Sequence, residues 1–305
     1  MKWILGVCAA AVVFGIAATM TIPAQTITPD QVTLKLFPLE TTGVAVVDVG
    51  GLRNSELFKQ VVPAVKYPSG LTEVIEATGF QPDRDVDQVT VAKIGTNQIV
   101  AVVRARYDQF KVEQYIRDHQ VPSDSYLGRV LYSPDNKEPM SVSFIDGLIV
   151  AGHTAAVKQV IDRLAAPAQS VLDNQELMTG IRAVEVGNQV WAVGQFDLES
   201  IPQAAKIPAP ALEFVRNFTG GSYQMRLDSG VHVKAVGNFK TDETARQTGD
   251  VLRGLIAVAK LQASQKPDML RLLDGVRIDY KGSSMMVRFD GDGQLVKQFQ
   301  QKRAE

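Results

Sequence analysis

Gln88-Val89-Thr90-Val91-Ala92-Lys93-Ile94, Gly95-Thr96-Asn97, Gln98-Ile99-Val100-Ala101-Val102-Val103-Arg104-Ala105-Arg106 is the stretch that decides the fold class. Two runs rich in β-branched residues flank a short turn holding Gly and Asn. That arrangement marks an antiparallel hairpin. Three more hairpins follow from the same signal. Asp146-Gly147 separates runs 141–145 and 148–151, and Asp228-Ser229-Gly230 separates runs 222–227 and 231–239. Gly282-Ser283 turns between 276–281 and 285–290. Tyr223, Met225 and Leu227, like Val231, Val233 and Ala235, alternate with polar residues, so these strands have one buried and one wet face.

Working outward, helical spacing fills the gaps between hairpins. Leu57, Phe58, Val61, Val62 and Val65 follow a cap at Asn54 or Ser55. Leu71, Val74 and Ile75 precede Gly79, placed to end a helix. Asp108 caps a helix whose inner face is Val112, Tyr115, Ile116 and His119, and Thr154 caps one carrying Val157, Val160, Ile161 and Leu164. Leu177, Met178, Ile181 and Val184 lead into the strand 190–193, the counterpart of 44–47. After a Pro-rich approach come a helix around 212–218, a long one over 242–262, and a short one opened by Pro267 and ended by Gly275. Leu295, Val296 and Phe299 mark a last amphipathic helix.

Each half therefore reads strand, helix, hairpin, helix, hairpin, helix. The expected fold is α+β: two related modules of mostly antiparallel sheet with helices packed on one face, behind an apolar export helix. The expected divisions are residues 1–24 as signal peptide or membrane anchor, 25–35 as linker, 36–166 as first module and 167–305 as second.

Export is read from the start of the chain. Lys2 is followed by an uncharged apolar run, Trp3 to Ala18, and by the small residues around Pro23-Ala24. A basic start, an apolar run and a small-residue exit form a secretory signal. The run 3–20 also suffices to hold the protein in the inner membrane if it is not cleaved. The single cysteine, Cys8, lies inside it, so a processed chain has neither disulfide nor thiolate. Composition is that of a soluble globular protein, 45% apolar and 21% charged. Charge is near balance, −1 overall, and the pI is about 6.3. Nucleic acid is therefore not an expected partner, since such proteins present a strongly basic face.

No cluster of residues announces chemistry. His119, His153 and His232 are the only histidines, far apart and without a ligand at i+2 or i+4, so no metal is expected. Asp83, Asp85 and Asp87 alternate as in a calcium loop, but Gln88 and Ile94 stand where that loop needs Gly and Glu. Asp290-Gly291-Asp292-Gly293 also lacks the distal carboxylate. No Ser sits in a nucleophile elbow. Gly50-Gly51 and Gly220-Gly221 lack the spacing of a phosphate loop and read as turns. No cofactor is expected. The 33 acidic residues always offer pairs in space, and spacing singles out none. Arg104 and Arg106, with Lys93 across the hairpin, are a candidate basic patch. The run Val251 to Leu261 is apolar nearly all round, so burial on more than one side is expected. Otherwise Val251, Leu255, Val258 and Leu261 form the candidate interaction surface for a lipid, partner or second copy.

The stretches Leu39 to Asp48, Thr78 to Asp87 and Phe144 to Gly152, with the helix after Thr154, resemble a loosely defined group of uncharacterised exported proteins of environmental bacteria. The group carries tandem α/β modules behind a signal or anchor segment. The resemblance spans about 36–299 and rests on structural turns. It implies a place in the cell envelope, implies no activity and transfers no functional residue. The expected function is an exported envelope protein, periplasmic or tethered to the inner membrane, that binds or scaffolds an envelope protein or lipid without catalysis. Alternatives are an exported hydrolase using carboxylates in an inter-module cleft, and a lipid-handling protein built on the 251–261 helix. N-terminal sequencing of protein recovered from its native envelope is expected to begin near residue 25. An intact Met1 would instead make the segment an anchor.

Overall fold

The computed structural model describes residues 31–61, 69–133, 139–195 and 216–294. The described chain starts with α1 (Gln31–Leu34), β1 (Thr41–Asp48), α2 (Val49–Arg53), α3 (Glu56–Val61), α4 (Ser69–Thr78) and α5 (Pro82–Asp85). The hairpin β2 (Val86–Ile94) and β3 (Gln98–Ala105) leads to α6 (Gln109–Asp118). Next come β4 (Ser123–Tyr126), β5 (Arg129–Tyr132), β6 (Met140–Ile145), β7 (Leu148–His153), α7 (Thr154–Ala165) and α8 (Gln175–Arg182). The rest is β8 (Val190–Gln195), β9 (Phe218–Leu227), β10 (Gly230–Phe239), α9 (Asp242–Gln262), α10 (Pro267–Asp274), β11 (Val276–Lys281) and β12 (Ser284–Asp292).

The class is α+β, and the twelve strands form one sheet in the order β11-β12-β10-β9-β8-β1-β2-β3-β7-β6-β5-β4, antiparallel throughout. The halves of the chain share that sheet because β1 pairs with β8, from Gly43↔Gly194 to Val47↔Val190. Outward from this seam, β8 is followed by β9, β10, β12 and β11; β1 is followed by β2, β3, β7 and β6. On either side a hairpin comes first, and a second hairpin then enters by its later strand.

Helices cover both faces, not one. Residues opposite each other across antiparallel strands point the same way. One face therefore carries Val44, Val46, Ala92, Val100, Val102 and Val150, packed with Val157, Val160 and Ile161 of α7 and with Met178 and Ile181 of α8. Leu34, Phe37 and Val171 close the same cluster. The opposite face carries Val89, Val103, Ile149 and Val142 around Phe80. Further along it Val190, Met225, Leu227 and Val231 lie under Leu52 of α2 and Leu57 of α3. Ile278 and Met285 lie under α9. Among the described residues the first face of β9 to β12 carries no helix, and it is largely polar: Arg226, His232, Lys234, Arg288 and Asp290, beside Val236 and Met286.

Local chemistry explains most of the elements. Ser55 accepts from the backbone N–H of Phe58 at 3.0 Å, and Asp108 accepts from that of Lys111 at 3.2 Å. Gly79 ends α4 with φ +73°. Several expectations need correction. Thr154 is not a cap: His153 holds the cap position, and the Thr154 hydroxyl bonds that of Ser141 at 2.7 Å. Gly50-Gly51 lies inside α2, whose first turn is capped by the Asp48 carboxylate. Gly220-Gly221 lies inside β9. The strand β4 is additional. Its polar run Ser123-Asp124-Ser125-Tyr126 reads as loop, yet Leu127 and Gly128, with φ of 47° and 74°, turn it onto β5 as a tight hairpin.

The export segment 1–24, Val62, Val65, most of the 212–218 helix and the closing helix with Leu295, Val296 and Phe299 lie outside the described residues. Among the described residues no helix is long and apolar enough to cross a membrane.

Trp191 sits at the seam, 5% exposed, opposite Val46 and within the cluster that α7 and α8 cover. Trp3 is the only other tryptophan, so in a chain lacking residues 1–24 the fluorescence reports on the seam alone. Trp191→Ala is expected to cost about 3–5 kcal/mol. Denaturant titration of the parent, followed by this fluorescence and by circular dichroism, is expected to give one coincident transition. Separate midpoints would contradict a core shared across the seam.

Candidate functional site

The seam also shapes a concavity. Three successive cross-strand rows on the helix-bearing face of β1, β8, β9 and β10 differ in side-chain size. The row nearest α2 and α3 is bulky: Val47, Val190, Met225, Val233. The next is Ala45, Ala192, Tyr223, Ala235. The third is Gly43, Gly194, Gly221, Gly237, four glycines in register across four strands. Continued sideways, the glycine row ends in Lys93 on β2 and Met285 on β12. Among the described residues, the floor thus falls away from the row that α2 and α3 cover.

The result is a groove of about 550 Å³, walled by Val91, Lys93 and Ile99 on one side and by Phe218, Met285 and Val287 on the other. That volume lies within the range of small-molecule sites. Its lining is apolar apart from Lys93, Gln195, Ser222 and Tyr223. The Tyr223 hydroxyl lies 3.6 Å from Met225 Sδ, and burial pushes its phenol above the usual range. Two of the glycines are also sterically required. A Cβ on Gly194 would lie 3.0 Å from Gly43 Cα, and one on Gly221 would run into the Val236 carbonyl. Removing side chains lets the strands approach closely and empties the floor in one step.

Helix α9 rises beside the Met285–Val287 wall, held by Leu252 and Ile256. It is not buried on several sides, as its composition suggested. Val251, Leu255, Val258 and Leu261 are 45%, 61%, 51% and 75% exposed. Arg253 fixes its orientation, reaching Tyr280 Oη at 2.8 Å and the Ile278 carbonyl at 2.7 Å on the edge strand β11. At 100° per residue, Val251, Leu255 and Val258 fall on the flank opposite Arg253, away from that edge and towards β10.

Two other spaces are less suited to a ligand. The gap bounded by Phe80, Tyr107, Ile116 and Phe144 is wholly apolar but only about 50 Å³. A mixed cleft beside Glu40, Gln98, Gln159 and Arg163 is wide, about 550 Å³. Its arginine is committed to the Gln159 and Gln169 carbonyls at 3.0 and 3.2 Å.

The titratable groups scatter. Lys93 and Arg104 point to opposite faces, so the basic patch does not form. Arg106 instead forks onto Asp87 at 2.8 and 2.9 Å. Asp48 stands at the seam, and burial raises its carboxyl above the usual range, more than its bond to the Gly51 N–H and the nearby Arg53 lower it. It acts as a helix cap, and Asp87 is held by arginines, so this pair is structural. Asp85 accepts from the Gln81 N–H at 2.9 Å and Asp292 from the Gln294 N–H at 2.7 Å, as turn residues do. Among the described residues no three His, Cys, Asp or Glu side chains are placed to hold a metal ion. His119 bridges the Tyr115 carbonyl at 2.8 Å and Glu73 at 3.0 Å. The His153 ring accepts from the Ile99 N–H at 3.0 Å.

His232 is the exception to this dispersal. Its Nε2 lies 2.7 Å from Asp228 Oδ1 and its Nδ1 2.8 Å from Asp290 Oδ1. Both contacts require donors, so the ring is an imidazolium clamping the β9–β10 turn to β12. Burial alone would lower its pKa; the bonds to Asp290 and Asp228 outweigh burial and the neighbouring Arg226, and the net shift is upward. Arg226 Nε approaches Asp228 Oδ2 at 3.3 Å but is not aligned for a hydrogen bond. Asp228 could be suspected from its place four residues before His232. Asp290 comes from a distant strand and leaves no trace in spacing.

No family model matches the chain, and no curated protein matches it. Among solved structures, crystal form I of TP0453 is similar at a TM-score of 0.49 and 10% identity, over 90% of this chain and 97% of that one.

Because the folded pKa of His232 exceeds the unfolded value of 6.5, its stabilisation is complete below pH 6.5 and is lost as pH rises through the folded pKa. The melting-temperature advantage of the parent over His232→Gln is therefore expected to be largest near pH 6 and to shrink at alkaline pH. An advantage constant from pH 6 to 9 would refute the clamp.

Proposed function

We propose that this is an exported protein of the cell envelope, periplasmic or tethered through residues 3–20, that binds an apolar ligand in the groove and performs no catalysis itself. The observation that carries the reading is the Gly43-Gly194-Gly221-Gly237 row, which leaves an apolar floor open beside the exposed flank of α9. Contiguous apolar surface of this kind is costly to leave wet and marks interaction sites. The export part rests on the signal pattern of residues 1–24. In this reading the halves are two related modules, 36–166 and 167–305, joined at β1 and β8; the matching strand order outward from the seam supports it. The groove straddles the seam, so neither module could form it alone.

The test is titration of the exported chain with the neutral apolar dye N-phenyl-1-naphthylamine. Saturable binding at one site is expected. Ala192→Phe and Ala235→Phe, which fill the floor from two different strands, are each expected to weaken it at least tenfold while melting within a few degrees of the parent. Binding unchanged in both folded variants, or no saturable binding in the parent, would remove the groove as the site.

A further inference from the structure

The face of β10, β11 and β12 on the other side of the sheet from the groove holds an arrangement that folding alone does not favour. Arg277 of β11, Arg288 of β12 and Lys234 of β10 stand directly opposite one another, three cations in a single cross-strand row. Adjacent strands lie about 4.8 Å apart, and like charges placed opposite each other destabilise a sheet. Screening at physiological ionic strength acts over about 8 Å, so these neighbours stay within each other's field.

Of the three, Lys234 alone is ion-paired among the described residues, with Glu185 Oε1 at 2.6 Å. That bond is the main reason the Glu185 carboxyl lies below its usual range, and the charges of Arg288 and Arg226 act in the same direction. The acids nearest the two arginines are engaged elsewhere or set aside. Asp290, two residues from Arg288, bonds His232 Nδ1 at 2.8 Å. Asp279 belongs to the next row, opposite Met286. Arg288 directs its Nε to the Met286 sulfur at 3.2 Å, and its two terminal nitrogens have no partner among the described residues. Arg277 is exposed on the outermost strand and makes no side-chain bond among the described residues.

We infer that this row is a binding site for a phosphomonoester, a compact dianion held between the Arg277 and Arg288 guanidiniums with Lys234 at its flank. A carboxylate or a sulfate ester carries one charge, which a single arginine fork answers. Two forks beside an ammonium call for more charge and more acceptor atoms. A phosphomonoester brings close to two charges and three acceptor oxygens, and the planar guanidinium suits phosphate geometry. The surroundings select against a longer polyanion. Along the strands Asp279 lies beyond one side of the row and Asp290 beyond the other. A nucleic acid strand or a uniformly anionic surface laid over the row would meet both carboxylates.

Equilibrium dialysis of the exported chain against phenyl phosphate, phenyl sulfate and benzoate, near pH 8 and in low salt, tests the assignment. Phenyl phosphate is expected to saturate one site at least tenfold more tightly than the other two. Arg277→Gln and Arg288→Gln are each expected to weaken it at least tenfold and to melt no lower than the parent, because each removes a like-charge neighbour. No saturable binding in the parent, or binding that survives both substitutions, overturns the row as the site. Phenyl sulfate held as tightly as phenyl phosphate overturns the dianion. A lower melting temperature in both variants would show the arginines serving the fold, and overturns the reading of the row as kept for a ligand. Vesicles separate the two sources of such a group. Cosedimentation with phosphatidic acid, lost in Arg288→Gln and absent with phosphatidylglycerol, places the phosphomonoester on a lipid head. Phenyl phosphate binding without cosedimentation places it on a soluble molecule. Equal cosedimentation with both lipids overturns the site in favour of general attraction to anionic surfaces. None of these outcomes bears on the groove, which the dye titration addresses on the opposite face.

Discussion

Five residue pairs between β1 and β8 decide what kind of molecule this is. Without them each half would present a naked central strand edge, and exposed edges recruit other chains. With them, the sheet runs unbroken through twelve strands and the apolar faces of both halves become continuous. Trp191 and Val193 from one half pack in the same cluster as Val44, Val100 and Val150 from the other. Helix α8 packs over this junction: a Cβ on Gly180 would meet the Val193 side chain, so helix and strand are in close contact.

The same seam creates a gradient. Moving along β1, β8 and β10, side chains shrink from Val to Ala and then to Gly; on β9 the sequence is Met225, Tyr223, Gly221. Where they are large, α2 and α3 can pack on them; where they vanish, the sheet surface offers a helix nothing to grip. Dispersion and burial both scale with atoms in contact, so among the described residues helix coverage ends at the Val and Met row. The glycines are thus explained twice, by the close approach of Gly43 and Gly194 backbones and by the open trough that results. Neither requirement is visible from one strand alone.

Much of this architecture could be read from residues in order. The hairpins were legible because their turn chemistry is local: Gly95, Asp146-Gly147 and Gly282 each sit at the bend. Helix ends at Ser55, Asp108 and Gly79 were legible for the same reason. Coverage of both sheet faces is also legible in principle. Val100, Ala101, Val102 and Val103 form an uninterrupted apolar run, which signals a strand covered on both faces; all four are buried. The alternation in β9 and β10 correctly implied one wet face. The pairing of β1 with β8, the glycine row and the His232 clamp depend on register between distant segments, Gly43 with Gly194 and His232 with Asp290. Local pattern carries no such information. The apolar composition of α9 misled in the other direction, because a sheet provides one surface and Leu252 and Ile256 already occupy it.

A twelve-stranded sheet has two outermost strands, and both are poor templates for growth. Strand β4 is only four residues long, and its Ser and Asp side chains favour solvent over a partner. On β11, Arg253 lays its guanidinium over Tyr280 and takes the Ile278 carbonyl. An incoming strand would have to displace a charged donor to reach that carbonyl. The length of the sheet, a hazard in a concentrated compartment, is therefore compatible with molecules that remain separate rather than stacking into fibres.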